Sequence, residues 1–221
     1  MKTRAILSLA GAALLASIGA ANASLLIVPS GNAGGVQATG EAASDGGPGF
    51  PTNIYGYISP AYLQAVDTGY YKFTFEGSGN SAATNTFSLG SPATTFTSYP
   101  TGGTGTGSTP AGTSFTEFLT AGTTIAFNFT STTGCNITAS HTSTTSTACA
   151  YLVALASSAN SPGATGPQST AWIGLSDSAY PGDSDFQDMV VRVDQIPEPA
   201  SVAVFGAGLL ALGLIRRRKA V

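Results

Sequence analysis

The run YYKFTFE, Tyr70–Glu76, alternates large apolar residues with polar ones and thereby decides the fold class. Successive side chains of a β-strand point to opposite faces of a sheet. Tyr71, Phe73 and Phe75 would therefore share one face, and the intervening polar residues would share the other. The pattern predicts a strand that is buried on one side and exposed on the other.

Similar runs recur along the chain. YLQAV, Tyr62–Val66, is joined to the first run by a short Asp-Thr-Gly segment, and the two together predict a β-hairpin. In the run TTIAFNFT, the apolar residues Ile125, Phe127 and Phe129 are predicted to face inward. The further runs predicted as strands are LLIV (Leu25–Val28), TNTFSLG (Thr84–Gly90), SFTEFLT (Ser114–Thr120), TTIAFNFT (Thr123–Thr130), AYLVALA (Ala150–Ala156), AWIGLSD (Ala171–Asp177) and DMVVRVD (Asp188–Asp194).

These runs are separated by segments rich in Gly, Pro, Ser and Thr, and no amphipathic helix of useful length interrupts them. About seven to nine short strands of this kind predict an all-β domain over residues 24–195, an antiparallel β-sandwich or jelly roll. A β-solenoid is the alternative, but that fold requires a fixed repeat period, which the sequence lacks.

The N-terminus has the features of an export signal. Basic residues precede an apolar stretch, Ala5–Ala16, and Ala21 and Ala23 place small side chains where a signal peptidase cleaves. We predict a signal peptide over residues 1–23, cleaved after Ala23. A retained N-terminal anchor is the alternative, but the apolar core is short for that role.

The exported part of the chain is acidic. Between Ser24 and Pro199 there are two basic residues, Lys72 and Arg192, against eleven acidic ones, which gives a formal charge of −9. A protein that binds duplex nucleic acid needs lysine and arginine to neutralise phosphates. This composition therefore argues against nucleic acid as a partner.

The two cysteines, Cys135 and Cys149, are predicted to form a disulfide. An even pair this close in an exported protein is most simply oxidised. Closing a loop of this size stabilises a fold by about 3 kcal/mol in the chain-entropy description.

The sequence does not favour catalysis. The single histidine, His141, lies in a Ser/Thr-rich loop with no acidic residue near it in sequence, whereas a catalytic histidine needs a nucleophile and an orienting acid. The motifs of serine hydrolases, P-loop enzymes and zinc peptidases are also absent. We therefore predict a protein that is not an enzyme and has no zinc site.

Aspartates crowd into SDSAYPGDSDFQDMVVRVD, residues 176–194. Asp183, Asp185 and Asp188 supply three carboxylates within six residues, and oxygen ligands of this kind are what Ca²⁺ prefers. A turn or a bulge would be needed to bring them together. The alternative is an Asx-turn before the last strand, with Asp188 paired with Arg192 or facing solvent.

The C-terminal tail, IPEPASVAVFGAGLLALGLIRRRKAV, contains three elements in a fixed order. They are the triplet Pro197-Glu198-Pro199, an apolar run over residues 200–215 and the basic cluster Arg216-Arg217-Arg218-Lys219. This arrangement resembles the PEP-CTERM sorting signal. As a helix the apolar run would be about 24 Å long, so snorkelling cations or a locally thinned bilayer would let it span a ~30 Å core. We predict a single transmembrane helix with its cations in the cytoplasm.

The resemblance implies processing by exosortase, a membrane peptidase of Gram-negative bacteria. It implies an inner-membrane-anchored intermediate, followed by delivery to the cell surface or the extracellular matrix, in association with exopolysaccharide and biofilm. Most of Tyr62–Asp194 also resembles a recurrent type of bacterial exported protein whose last strand begins with an Asp-x-Asp-Phe motif.

A different class of function stays open beside this one. The β domain could be a calcium- or carbohydrate-binding adhesion module that uses aromatic residues such as Trp172 or Tyr180 near the acidic segment. Trp172 alternates with Ile173, so one of the two faces outward, and a buried tryptophan is the more common arrangement.

Overall fold

The computed structural model describes residues 25–29, 35–37, 55–58, 61–79, 81, 83–90, 93–100, 108–139, 148–155, 168–178, 186–197 and 208–209. Its thirteen strands are β1 (Leu25–Pro29), β2 (Gly35–Gln37), β3 (Tyr55–Ile58), β4 (Ala61–Ala65), β5 (Gly69–Gly77), β6 (Asn85–Leu89), β7 (Thr94–Ser98), β8 (Ser114–Leu119), β9 (Phe127–Ser131), β10 (Asn136–Ala139), β11 (Ala150–Leu155), β12 (Thr170–Ser176) and β13 (Met189–Ile196). They belong to one compact unit, Ala23–Ile196, which we call the β domain.

The strands form three antiparallel sheets. The largest has seven strands in the order β2-β3-β11-β12-β13-β5-β8, and a second has four in the order β10-β9-β6-β7. The pair β1-β4 forms the third sheet. All ten pairings between the described strands are antiparallel, so the predicted all-β antiparallel fold is confirmed.

The core lies between the seven-stranded and four-stranded sheets. Phe75 and Phe96 stack across this space with ring centroids 5.7 Å apart, and Phe127 meets Tyr151 edge-on at 5.2 Å. The hydroxyl of Tyr151 also donates to the carbonyl of Ala61 at 2.6 Å, which ties β4 to β11. Aromatic side chains from both sheets thus make the interior of a sandwich.

The alternation of the opening run is confirmed in β5. Tyr71, Phe73 and Phe75 are all buried in the core, as the sequence predicts. The same is true of the inward residues predicted in TTIAFNFT, although β9 itself begins only at Phe127.

The predicted hairpin between β4 and β5 is wrong. β4 pairs with β1, whereas β5 pairs with β13 and β8 in a different sheet. The Asp67–Gly69 segment therefore carries the chain from one sheet to another, and Tyr71 donates from its hydroxyl to the carbonyl of Asp67 at 2.7 Å at this crossing. Local sequence places a turn here, but the apolar faces of β13 and β8 decide which strands β5 joins.

Four strands, β2, β3, β7 and β10, were not expected from the sequence. They are short and lie in Gly- or Thr-rich segments with little apolar alternation. β7 has one large apolar residue, Phe96, and exists because β6 offers it a complete antiparallel ladder. Pairing with a neighbour, rather than local pattern, makes such strands.

The disulfide prediction is confirmed. Cys135 and Cys149 are joined, with their Cα atoms 5.5 Å apart, and both are buried. The bond connects the start of β10 to the start of β11, and thereby links the four-stranded sheet to the seven-stranded one.

Candidate functional site

Two aspartates of the acidic segment meet where β12 ends and β13 begins. The strands are antiparallel neighbours, so Asp177, just after β12, comes to lie beside Asp188, just before β13. The backbone N–H of Asp177 donates to Oδ2 of Asp188 at 2.7 Å, and both side chains are buried. Folding has thus removed two carboxylates from water at one point.

Neutral side chains from the segment before β6 and from β6 itself surround Asp177. The amide nitrogen of Asn85 donates to Oγ of Ser81 at 2.8 Å, and that Oγ lies 2.8 Å from Oδ2 of Asp177. Asn85 also approaches the same carboxylate oxygen at 3.4 Å. Among the described residues, the side chains that donate to this carboxylate are therefore uncharged.

The same group of residues connects the two sheets of the sandwich. The carbonyl of Asp188 lies 3.4 Å from the amide nitrogen of Asn85 on β6 and 3.5 Å from Oγ of Ser98 on β7. These distances are at the long end of the hydrogen-bond range. We call Ser81, Asn85, Ser98, Asp177 and Asp188 the polar cluster; all five are buried.

The chemistry of the polar cluster is that of an oxygen-rich site. Oδ1 of Asn85 is buried and accepts no hydrogen bond from the residues that the structure describes. Buried carboxylates are costly unless a cation or hydrogen bonds compensate them. Hard cations such as Ca²⁺ bind carboxylate, amide and backbone oxygens, and these are the groups present here. No set of three or more His, Cys, Asp or Glu side chains converges within the described ranges.

Phe186 shapes the approach to Asp188. Its φ is 52°, a left-handed conformation that costs a non-glycine residue about 1–2 kcal/mol. The ring is fully buried and packs with Leu152 and Val190 on the outer face of the seven-stranded sheet. The chain is therefore fixed on both sides of residue 187, by the buried ring of Phe186 before it and by Asp188 of the polar cluster after it.

Of the three predicted calcium ligands, only Asp188 lies within the described residues. Asp188 belongs to the polar cluster, whereas Asp183 and Asp185 lie outside the described residues. The alternative expectation for Asp188, a pair with Arg192 or a solvent-facing position, is wrong. Arg192 is instead held by Glu76 at 2.6 Å and by Asp194 at 2.8 Å on the outer face of the sheet.

Ser81, Asn85 and Ser98 were missed by sequence reasoning. A signal for Asn85 existed, because it alternates with Phe87 and Leu89 and so occupies an inward position of its strand. An amide on an apolar face is a polar group that needs buried partners. Nothing comparable marks the two serines.

The outer face of the seven-stranded sheet holds the single tryptophan of the chain. Ile173 takes the core position, and Trp172 lies outward and half-buried, opposite Arg192 on β13. The expectation of a buried tryptophan is thus corrected. The hydrogen bond that the Arg192 guanidinium donates to Asp194 raises the pKa of Arg192 above its ordinary value, so this cation stays charged. Tyr180 lies outside the described residues.

The β domain ends where the C-terminal triplet begins. β13 runs to Ile196, which is followed directly by Pro197. Glu198, Pro199 and the basic cluster lie outside the described residues, as do Ala21, Ala23 and the rest of the predicted signal peptide. Of the predicted transmembrane run only Gly208 and Leu209 are described, and both are helical. Within the described part of the chain, no helix has the length and apolar character required to cross a membrane.

Comparison with known protein families identifies this tail. Residues 195–219 match the model of the PEP-CTERM protein-sorting motif. No curated protein and no solved structure matches the chain. The motif implies an exported protein that passes through a membrane-anchored intermediate and is sorted by exosortase to the cell surface.

Proposed function

We propose that the PEP-CTERM motif delivers a non-catalytic β domain to the extracellular exopolysaccharide layer or biofilm of a Gram-negative bacterium. The observation that carries this proposal is the match at residues 195–219, which begins in the last strand of the domain. Signal peptidase first removes residues 1–23. The tail then holds the chain in the inner membrane until exosortase cuts near the triplet at 197–199.

Two properties of the β domain support an extracellular destination. Its disulfide is of the kind that persists in oxidising environments. Its charge of −9 between Ser24 and Pro199, from Lys72 and Arg192 against eleven acidic residues, favours solubility outside the cell.

Mass spectrometry of the mature protein from its native host tests the sorting proposal. We expect a product that begins at Ser24 and ends near the triplet, without Arg216–Lys219. The variant Glu198→Ala should accumulate with the tail intact, whereas Glu117→Ala, outside the motif, should be processed normally. Retention of Arg216–Lys219 on the extracellular wild-type product would contradict the proposal.

A calcium-binding adhesion module is the second candidate. The buried carboxylates of Asp177 and Asp188 and the buried Oδ1 of Asn85 favour it, because oxygens of these kinds bind Ca²⁺. In this alternative Asp183 and Asp185 supply further carboxylates, and Asp188 remains the ligand that the sequence predicts. A bound cation would offset the cost of burying negative charge.

Thermal unfolding of the signal-cleaved chain with and without millimolar Ca²⁺ tests this candidate. A ligand that binds only the folded state raises the midpoint temperature. The variants Asp183→Asn, Asp185→Asn and Asp188→Asn should reduce the rise, whereas Asp194→Asn on the outer face should keep it. No rise in the wild-type protein would remove calcium from consideration.

Carbohydrate binding by the same module rests on a different observation. Trp172 faces outward on the sheet beside the fixed charge of Arg192, and stacking on an aromatic ring is a common way to hold a sugar. Titration of the chain with exopolysaccharide extracted from the host, compared with Trp172→Ala, tests it. Equal binding by the two proteins would exclude the outer face at Trp172 as the carbohydrate-binding surface.

A further inference from the structure

Three exposed apolar side chains form a row across one corner of the seven-stranded sheet. Ile196 on β13 is the cross-strand neighbour of Tyr70 on β5, which in turn neighbours Phe118 on β8. The two rings meet edge-on with centroids 5.2 Å apart. We call these three residues the apolar row.

The exposure of the apolar row is unusual for this domain. Among the described residues of the β domain, four large apolar side chains are exposed, and three of them make up the row: Tyr70 at 56%, Phe118 at 55% and Ile196 at 40%. Single exposed apolar residues need no explanation, but several that touch one another mark an interaction surface.

The row is covalently close to the membrane anchor. Residues 197–199 alone separate Ile196 from the apolar run that begins at Ala200. Even a fully extended chain spans at most about 14 Å over those four Cα–Cα steps. Tyr70 and Phe118 lie about 5 and 10 Å further along the sheet, since neighbouring strands are about 4.8 Å apart.

The reach of residues 197–199 can be compared with the thickness of the headgroup region. The headgroup region on each side of the apolar core is roughly 5–8 Å thick. While the tail spans the membrane, Ile196 is therefore held within about 14 Å of the edge of the apolar core, a distance that lets the apolar row reach the headgroup region. Tyrosine is enriched there, and phenylalanine and isoleucine gain from burial in the acyl boundary.

Charges on the same face are compatible with a lipid surface. The exported part has two cations, and both lie on this side of the sheet: Lys72 on β5 and Arg192 on β13. Lys72 is opposite Asp194 in the register, and Arg192 is paired with Glu76 and Asp194. The face is thus nearly neutral locally, although the domain as a whole is acidic.

We propose that the apolar row is a lipid-contacting surface that seats the β domain on the outer headgroup layer during the membrane-anchored stage. The proposal rests on the anchored intermediate of the proposed function. Contact with lipid would hold the domain in one orientation and limit how residues 197–199 are presented to the peptidase.

Tryptophan fluorescence in vesicles tests the row directly, because the chain has one native tryptophan. In a Trp172→Phe background, Phe118→Trp and, separately, Tyr70→Trp place the sole fluorophore in the row. Tyr99→Trp is the matched control, since Tyr99 is an exposed aromatic beyond the end of β7. Each signal-cleaved full chain is reconstituted into phosphatidylcholine–phosphatidylglycerol vesicles that contain acyl-brominated lipid.

We expect both row variants to be quenched by brominated lipid, roughly twofold or more above the Tyr99→Trp control, with emission shifted to the blue. If the chains float with the vesicles but the row variants are quenched no more than the Tyr99→Trp control, the lipid contact is overturned and the sorting proposal stays intact. Failure to float would overturn both. A blue shift that appears only after purified exosortase is added would overturn lipid contact in favour of the peptidase.

Discussion

The backbone N–H of Asp177 donates to Oδ2 of Asp188 at 2.7 Å, and this bond joins the end of β12 to the start of β13. Both residues belong to the acidic segment, yet they are separated by eleven positions in sequence. Their burial turns a stretch that looks like a solvated acidic loop into part of the connection between the two sheets.

Truncation of Asp188 should destabilise the β domain. Asp188→Ala leaves the buried N–H of Asp177 without its acceptor, which costs about 1–3 kcal/mol. Asp188→Asn keeps an acceptor oxygen and should cost less in calcium-free buffer. Urea unfolding measures both, with Asp194→Asn on the partly exposed outer face as control. Equal stabilities of Asp188→Ala and the wild type would contradict the structural role of the polar cluster.

Removal of the Phe186 ring should have a larger effect. Phe186→Ala empties a buried site beside Leu152 and Val190, and such truncations cost about 3–5 kcal/mol. Urea unfolding of Phe186→Ala and Phe186→Leu measures it. A loss below that of Phe186→Leu would show that the ring is not a packing anchor.

Loss of the disulfide should lower stability by about 3 kcal/mol. The bond closes a loop with a sequence separation of 14 and joins the two sheets. We expect this loss in the Cys135→Ala/Cys149→Ala double variant, measured by urea unfolding against the oxidised wild type. Reduction of the wild-type protein should lower the midpoint similarly, and an unchanged midpoint in both experiments would refute the estimate.

Stability should fall at alkaline pH, partly through Tyr71. Burial raises the pKa of Tyr71 above the ordinary value of 10.0. The folded state therefore holds its proton where the unfolded chain has released it. The stability that the protonated Tyr71 hydroxyl contributes is fully present below about pH 10, and it is lost as the pH rises through the pKa of Tyr71 in the folded state.

The variant Tyr71→Phe isolates this effect. It loses the hydroxyl that donates to Asp67 and should cost about 1 kcal/mol at neutral pH. Its free energy of unfolding should then depend less steeply on pH between about 9 and 11 than that of the wild type. Parallel pH profiles for the two proteins would be the contrary result.

Much of the fold was predictable because local pattern and burial agree in the long strands. In β5, β9 and β13 alternate residues are apolar and lie in the core between the two sheets, as the sequence predicts. The candidate site was predictable only at Asp188. Asn85 and Ser81 lie about a hundred positions from it in sequence, and no local pattern brings them there.

The sequence by itself determined the parts that act as linear signals or periodic patterns. These are the alternation that makes the strands, the pair of cysteines and the C-terminal motif, which matches its family model as a string of residues. Tertiary structure decided which strands pair, and it assembled the polar cluster and the apolar row. The physical reason is that strand pairing joins residues distant in sequence, so the neighbours of Asp188 and of Ile196 exist only after the sheets have formed.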